Sequence, residues 1–196
     1  MSTLISRRLV LRPLVPEDFP AWSEVRQRNT ELLVKWEPRS LAGSPDPVRD
    51  RAAFAARCGA RGREQQLGTS HGFGLFAGGQ FAGEINLSIV QRGPFQSAYV
   101  GYWIDQARAG EGYMPEALVL LCRYAFEELN LHRIQISVIP RNRASRRVVE
   151  KLEIRDEGVA QRYLEINGLW EDHIRFAITS EEWVDRGEKL LATWVG

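Results

Sequence analysis

Apolar residues recur along this chain at two periods, and the switches between them mark its elements. Leu9 and Leu11 predict a first strand, stopped by Pro13. Phe19, Trp22 and Val25 follow at helical spacing and predict a helix from near Pro16. Asn29 to Trp36 either continues that helix or forms a short second one. Gly43, Ser44, Pro45, Asp46 and Pro47 make residues 41–47 a loop. Residues 48–66 read as a basic helix carrying Phe54 and Cys58. The middle reads as strands: 71–77, a Gly78-Gly79 hairpin, 81–90, a break at Gly93-Pro94, then 97–104. Ala117, Leu118, Leu121, Cys122, Ala125, Phe126 and Leu129 step by threes and fours. They form one continuous helical face, and Pro115 suits the first turn of that helix. A strand over 132–139 and a short helix from Asn142 or Ala144 to Leu152 follow. Strands 157–166 and 169–178 are joined by Asn167-Gly168, the strongest short hairpin signal in the chain. Thr179 or Ser180 caps a last helix with Glu181 and Glu182 in its first turn. This order predicts one mixed α/β (α+β) domain over residues 1–196, built around a single central sheet.

Length agrees with that count. The chain has 196 residues, against roughly 150 per domain, and is long enough to bury a core. Lys plus Arg is 26 and Asp plus Glu is 25, a net charge of +1. That balance speaks against a direct nucleic-acid partner, which needs excess positive charge. No apolar run approaches the ~18 residues of a membrane span. Residues 1–12 hold no apolar signal core, so a cytoplasmic location is expected. Cys58, Cys122, His71, His132 and His173 stand singly, with no CxxC or HxxxH pair, so no metal site is expected. Cys122, on the apolar helix face, reads as core rather than nucleophile.

The stretch that carries chemistry is Gly101 to Leu118, GYWIDQARAGEGYMPEAL. It runs from a strand through a glycine-containing loop into the start of the best helix. Such a junction offers unpaired backbone N–H groups and the positive end of a helix dipole, which together suit a phosphate or pyrophosphate. Gly110 and Gly112 permit close backbone approach. The GxxxxGK spacing and the third glycine of GxGxxG are absent, which disfavours a P-loop or dinucleotide fold. Alone, the pattern equally describes a flexible strand–helix turn.

The order of blocks along the chain resembles the GNAT superfamily of acetyl-CoA-dependent N-acetyltransferases, and within it the RimJ/RimL group that acetylates ribosomal-protein N-termini. The matching pieces are RRLVLRPLVPEDFPAW, KWEP, FAGEINL, GYWID, AGEGYMPEAL, HRIQISVIPRNRAS, YLEINGLWEDH and TSEEW. Each is soft alone; in order and nearly end to end they are specific. The family's pyrophosphate loop, Q/R-x-x-G-x-G/A, falls on Ala109, Gly110, Glu111, Gly112, Tyr113 and Met114. Its first polar residue has become Ala109 and its last small one Met114. Backbone amides make most of that contact, so cofactor binding is expected to survive, with Arg108 supplying side-chain charge. After Lys151-Leu152, Glu153-Ile154 replaces the Gly-Phe of many relatives.

The resemblance implies a GNAT fold: a mixed sheet of about seven strands, flanked by helices, in which strands four and five splay. Here those are residues 99–104 and 133–139. The pantetheine arm of acetyl-CoA would pair with backbone of Tyr102, Trp103 and Ile104, and an N–H there would stabilise the oxyanion. The amine attacks the thioester directly. Asn142 and Ser145 match the family's N-x-x-S, so Ser145 inherits the role of acid toward the sulfur, while both residues also suit a helix cap. Arg141, Arg143, Arg146 and Arg147 cluster around them, some toward CoA phosphates and others toward solvent. A carboxylate base must deprotonate the amine. Glu84 is the first candidate, Glu37 the second and Glu165 the third, with His71 and His173 behind them. Trp36, Glu37, Tyr163 and Trp170 would flank the acceptor. Trp22 and Trp183 read as core. The acceptor is either a protein N-terminal α-amine, such as that of a ribosomal protein, or a small amine. A non-catalytic CoA-binding module is the third reading. Monomer and homodimer both remain open.

Overall fold

A computed structural model of the chain describes residues 2–39 and 43–196. Leu41 and Ala42 of the expected 41–47 loop lie outside the described residues. One sheet of eight strands organises the molecule. The strands are β1 (Leu4–Ile5), β2 (Leu9–Arg12), β3 (His71–Ala77), β4 (Gln80–Gln91), β5 (Ser97–Ile104), β6 (Arg133–Val138), β7 (Arg155–Ile166) and β8 (Leu169–Thr179). They lie in the order β1-β2-β3-β4-β5-β6-β8-β7. The β5–β6 pair is parallel and every other neighbouring pair antiparallel. The count exceeds the expected seven by one. The two-residue β1 is too short to show a period of two, so no apolar alternation announced it.

The helices are α1 (Phe19–Arg28), α2 (Thr30–Leu33), α3 (Arg51–Gln66), α4 (Tyr113–Arg123), α5 (Arg143–Lys151) and α6 (Ser180–Trp194). Residues 48–50 stay outside α3 because Asp50 caps it, accepting from Ala52 N at 2.8 Å and Ala53 N at 3.3 Å. The long apolar face expected over 117–129 is not one α-helix. After Arg123 the chain widens into a π turn over Tyr124–Glu128, where Leu129 N bonds to Tyr124 O. The last helix is capped by Thr179, which forms a reciprocal capping box with Glu182.

Two clusters fill the two faces of the sheet. The larger packs α4 and α6 on one face through Leu11, Leu75, Ile85, Leu87, Leu118, Leu121, Ile134 and Trp183. Each such buried side chain contributes about 1.5–3 kcal/mol. The smaller joins Trp22, Val25, Phe54, Cys58, Phe76 and Phe81 beneath α1 and α3 on the other face. Trp22, Trp183 and Cys122 are buried, and burial pushes the Cys122 thiol up to about 12. No helix among the described residues is long and apolar enough to cross a membrane.

Candidate active site

The sheet opens where its direction changes. β5 and β6 pair from Ser97↔Arg133 to Val100↔Ile136 and then part, although β5 runs on to Ile104 and β6 to Val138. On its other side β5 stays paired with β4 as far as Gly83↔Ile104. Asp105 N donates to Ala82 O at 2.7 Å. By strand alternation the main-chain polar groups of Trp103 also turn toward β4, while those of Tyr102 and Ile104 turn into the open seam. The splay therefore leaves a short strand edge with unpaired N–H and C=O groups, suited to an extended amide chain. Trp103 reaches the cleft by its side chain, not its backbone amide.

A continuous cleft follows the seam in three segments of about 270, 180 and 420 Å³. The last reaches the start of α4. Gly112 caps α4 at φ +84°, a conformation open to glycine but strained for other residues. The amides of Gly112, Tyr113 and Met114 have no intrahelical acceptor there. Arg108, Ala109, Gly110 and Gly112 line this end, with Arg147 and Lys151 from α5. Arg147 and Lys151 are one helical turn apart, which places both on one face. Lys151 was missed as a site residue, although that spacing was readable. Arg108 is also held by Gln80. The Met114 side chain is 4% exposed and serves the core as well as the cleft wall. Glu111 does not line the cleft, but its carbonyl accepts from Arg8 Nη1 at 3.0 Å. Arg8 also pairs with Glu116, fully buried in the first turn of α4, and so fastens that turn to the β1–β2 edge.

Midway along the cleft, α5 meets β5. Asn142 caps α5 by accepting from Ser145 N at 3.1 Å. The Ser145 hydroxyl donates to Tyr102 Oη at 2.9 Å, and Tyr102 donates to the Ser145 carbonyl at 3.1 Å. Burial pushes the Tyr102 phenol far above its ordinary value, so it stays protonated. Asn142, Ser145 and Tyr102 all line the cleft.

The opposite end of the cleft is bounded by the turn after α2 and by β8. Trp36 and Glu37 line it together with Asn86, Ser137 and His173. Glu37 is held by both oxygens to Arg26, at 2.7 and 2.8 Å. Tyr163 stands behind His173, ring centroids 5.8 Å apart. Trp170 is 64% exposed on the β7–β8 hairpin and lines none of the three segments. Glu165 is exposed on that hairpin.

Glu84 departs from expectation. It does face away from the main core, but it lines a separate cavity under α3. Its Oε1 accepts from Trp22 Nε1 at 2.7 Å and its Oε2 from Arg57 at 2.6 Å. With both oxygens engaged and 4% exposure, this carboxylate ties α1 and α3 to β4 rather than meeting a substrate. Asp105, the last residue of GYWID, is likewise a buried carboxylate with its partners in place. Burial alone would raise its carboxyl, but hydrogen bonds from Arg28 and Asn29 outweigh that and hold it below the ordinary range. It anchors the end of β5 to α1.

Comparison with known proteins agrees with this geometry. The family model for the acetyltransferase (GNAT) domain matches residues 8–155. The [ribosomal protein uS5]-alanine N-acetyltransferase of Escherichia coli (strain K12) is 33% identical over 187 residues, 92% of each chain. The probable N-acetyltransferase YjcK of Bacillus subtilis (strain 168) is 44% identical over 112 residues, 56% of this chain and 62% of that protein. Among solved structures, Mycobacterium smegmatis RimJ in complex with CoA-disulfide superposes with a TM-score of 0.87 at 32% identity, over 98% of this chain and 92% of its own. The family match spans most of the chain, and an equally extensive structural likeness accompanies it: the chain belongs to the GNAT acetyltransferases, with acetyl-CoA as acyl donor.

Proposed function

We propose that this chain acetylates the N-terminal α-amine of a ribosomal protein in the cytoplasm, residues 1–196 acting as one domain. The observation that carries the reading is the near full-length similarity to an enzyme named for alanine of ribosomal protein uS5. In this reading acetyl-CoA supplies the activated acetyl thioester. The amides at the start of α4, with Arg108, Arg147 and Lys151, hold its pyrophosphate. The seam groups of Tyr102 and Ile104 hold its pantetheine arm and orient the acetyl carbonyl for stabilisation by a backbone N–H. Ser145, backed by Tyr102, supplies the proton that the departing sulfur needs. Trp36 and the turn around Glu37 guide the acceptor chain.

The test is release of free thiol from acetyl-CoA with peptides beginning in Ala or Ser and with a panel of small amines. Turnover with the peptides is the expected result. Turnover with polyamines, amino acids or antibiotics alone discards the ribosomal acceptor and keeps the chemistry. CoA binding without turnover of any acceptor leaves the non-catalytic module.

A further inference from the structure

His173 sits on β8 opposite Ala160, is 3% exposed and lines the acceptor end of the cleft with Ser145 and Tyr102. Its Nδ1 lies 2.9 Å from the carbonyl oxygen of Glu171. A carbonyl only accepts, so Nδ1 carries the hydrogen, and the neutral ring keeps its lone pair on Nε2. Tyr163 meets the ring edge to face at 67°, and its own hydroxyl accepts from Gln135 at 3.3 Å. The ring is thus fixed from two sides. Nε2 bonds to none of the described residues, and the ring lines the cleft. Glu37 is engaged by Arg26 and Glu171 by Arg141, while Glu84, in its separate cavity, is held by Trp22 and Arg57.

We infer that His173 is the general base of the acetyl transfer. Its Nε2 takes one proton from the incoming ammonium and frees the nitrogen lone pair. The nitrogen–carbon bond then forms, the carbon–sulfur bond breaks, and the second proton shed by the nitrogen ends on the thiol sulfur. The imidazolium keeps its Nδ1–H bond to the Glu171 carbonyl, then returns its proton to solvent. This inference rests on the acetyl-transfer reading but not on the identity of the acceptor. The ionisable and charged groups around the ring are Tyr163 on β7, Arg175 two residues along β8, Glu171 of β8 with its partner Arg141 from the loop before α5, Glu37 of the turn with its partner Arg26 from α1, and Tyr102 across the cleft.

The test variant is His173→Asn, whose side-chain amide can still donate toward the Glu171 carbonyl but offers no base. Its turnover of an Ala-initiated peptide is expected to fall about 100-fold, with CoA affinity by calorimetry unchanged. The acid limb of the wild-type kcat/KM profile is expected to vanish. A peptide bearing a hydrazide in place of its α-amine is neutral near neutral pH and needs no deprotonation before attack; its one surplus proton passes to the thiol sulfur afterwards. With it the variant should stay within about threefold of wild type. Equal losses on both acceptors, or an unchanged acid limb, overturn the inference. If peptides fail and a small amine is turned over, the ribosomal reading falls and the same comparison is made on that amine. Nitrogen-15 spectra of the wild-type ring judge the inference even if the variant does not fold or no acceptor reacts. A neutral ring protonated at Nδ1 is expected, and a neutral ring protonated at Nε2 overturns it.

Discussion

Ser145 and Tyr102 work as a pair whose proton order is set by burial. Tyr102 is committed to the Ser145 carbonyl and stays protonated, while Ser145 directs its own hydrogen at the phenol oxygen. To reach a sulfur in the cleft, the serine hydroxyl has only to turn away from that oxygen. Ser145→Ala is therefore expected to lower turnover by about 100-fold while CoA affinity, read by calorimetry, stays within about twofold. A matching loss of affinity would make the serine a binding group instead. Glu84→Gln should separate the other way. It leaves Arg57 facing a neutral amide in a largely buried setting, and should cost about 2–3 kcal/mol of stability in a denaturant melt. Turnover per folded molecule should change little. The serine was legible because Asn-x-x-Ser is both a cap spacing and a family block. Its partner was not, because Tyr102 lies 43 positions away and meets it only through the β5–α5 packing. Glu84 misled for a related reason: alternation correctly placed it off the core face, but one strand cannot reveal what packs on that face.

At the scale of elements, the seam depends on how closely β4 holds β5. A Cβ on Gly83 would stand 2.3 Å from the Trp103 carbonyl oxygen and 2.9 Å from the Ile104 Cα, both backbone atoms with little room to yield. Gly83→Ala is expected to push β5 toward the seam, destabilising the fold by about 1–3 kcal/mol and weakening CoA binding; calorimetry and a melt read both. The far edge makes a separate prediction. Arg133 and then Arg155 hold the Glu157 carboxyl at about 2, against 4.5 when free. A depressed folded value adds stability above the unfolded one and loses it as pH falls from about 4.5 toward 2. Glu157→Gln should flatten the acid decline of stability in that window. Most strands and helices were legible from period and turn chemistry. The parting of β5 and β6 was expected from the family resemblance alone: both runs look like ordinary buried strands, and pairing is a property of two segments.

Across the molecule, the cleft is closed at its acceptor end by contacts between distant parts of the chain. Asn167 N, at the hairpin tip, donates to the Glu37 carbonyl at 3.0 Å, and Glu37 is in turn held by Arg26 of α1. Arg141, at the end of the β6–α5 loop, pairs with Glu171 at 2.6 Å and lies over the Trp36 ring at 5.1 Å. The turn after α2, the loop before α5 and the β7–β8 hairpin therefore meet around one opening. The anion end is held independently by Arg8, Glu116 and the start of α4. Because the two ends share no polar contact in these networks, their losses should be separable. Arg141→Ala removes an ion pair and a cation–π contact that together are worth roughly 1–1.5 kcal/mol at a partly exposed site. It should loosen the opening, raising the KM for a peptide acceptor by up to about tenfold and lowering Tm by about 2–4 °C, while CoA affinity stays close to wild type. Steady-state kinetics at saturating acetyl-CoA, with calorimetry on the same preparation, decide it. A rise in KM confined to the acceptor makes Arg141 part of the acceptor opening alone, whereas a joint loss of CoA affinity would mean that the two ends of the cleft are mechanically one.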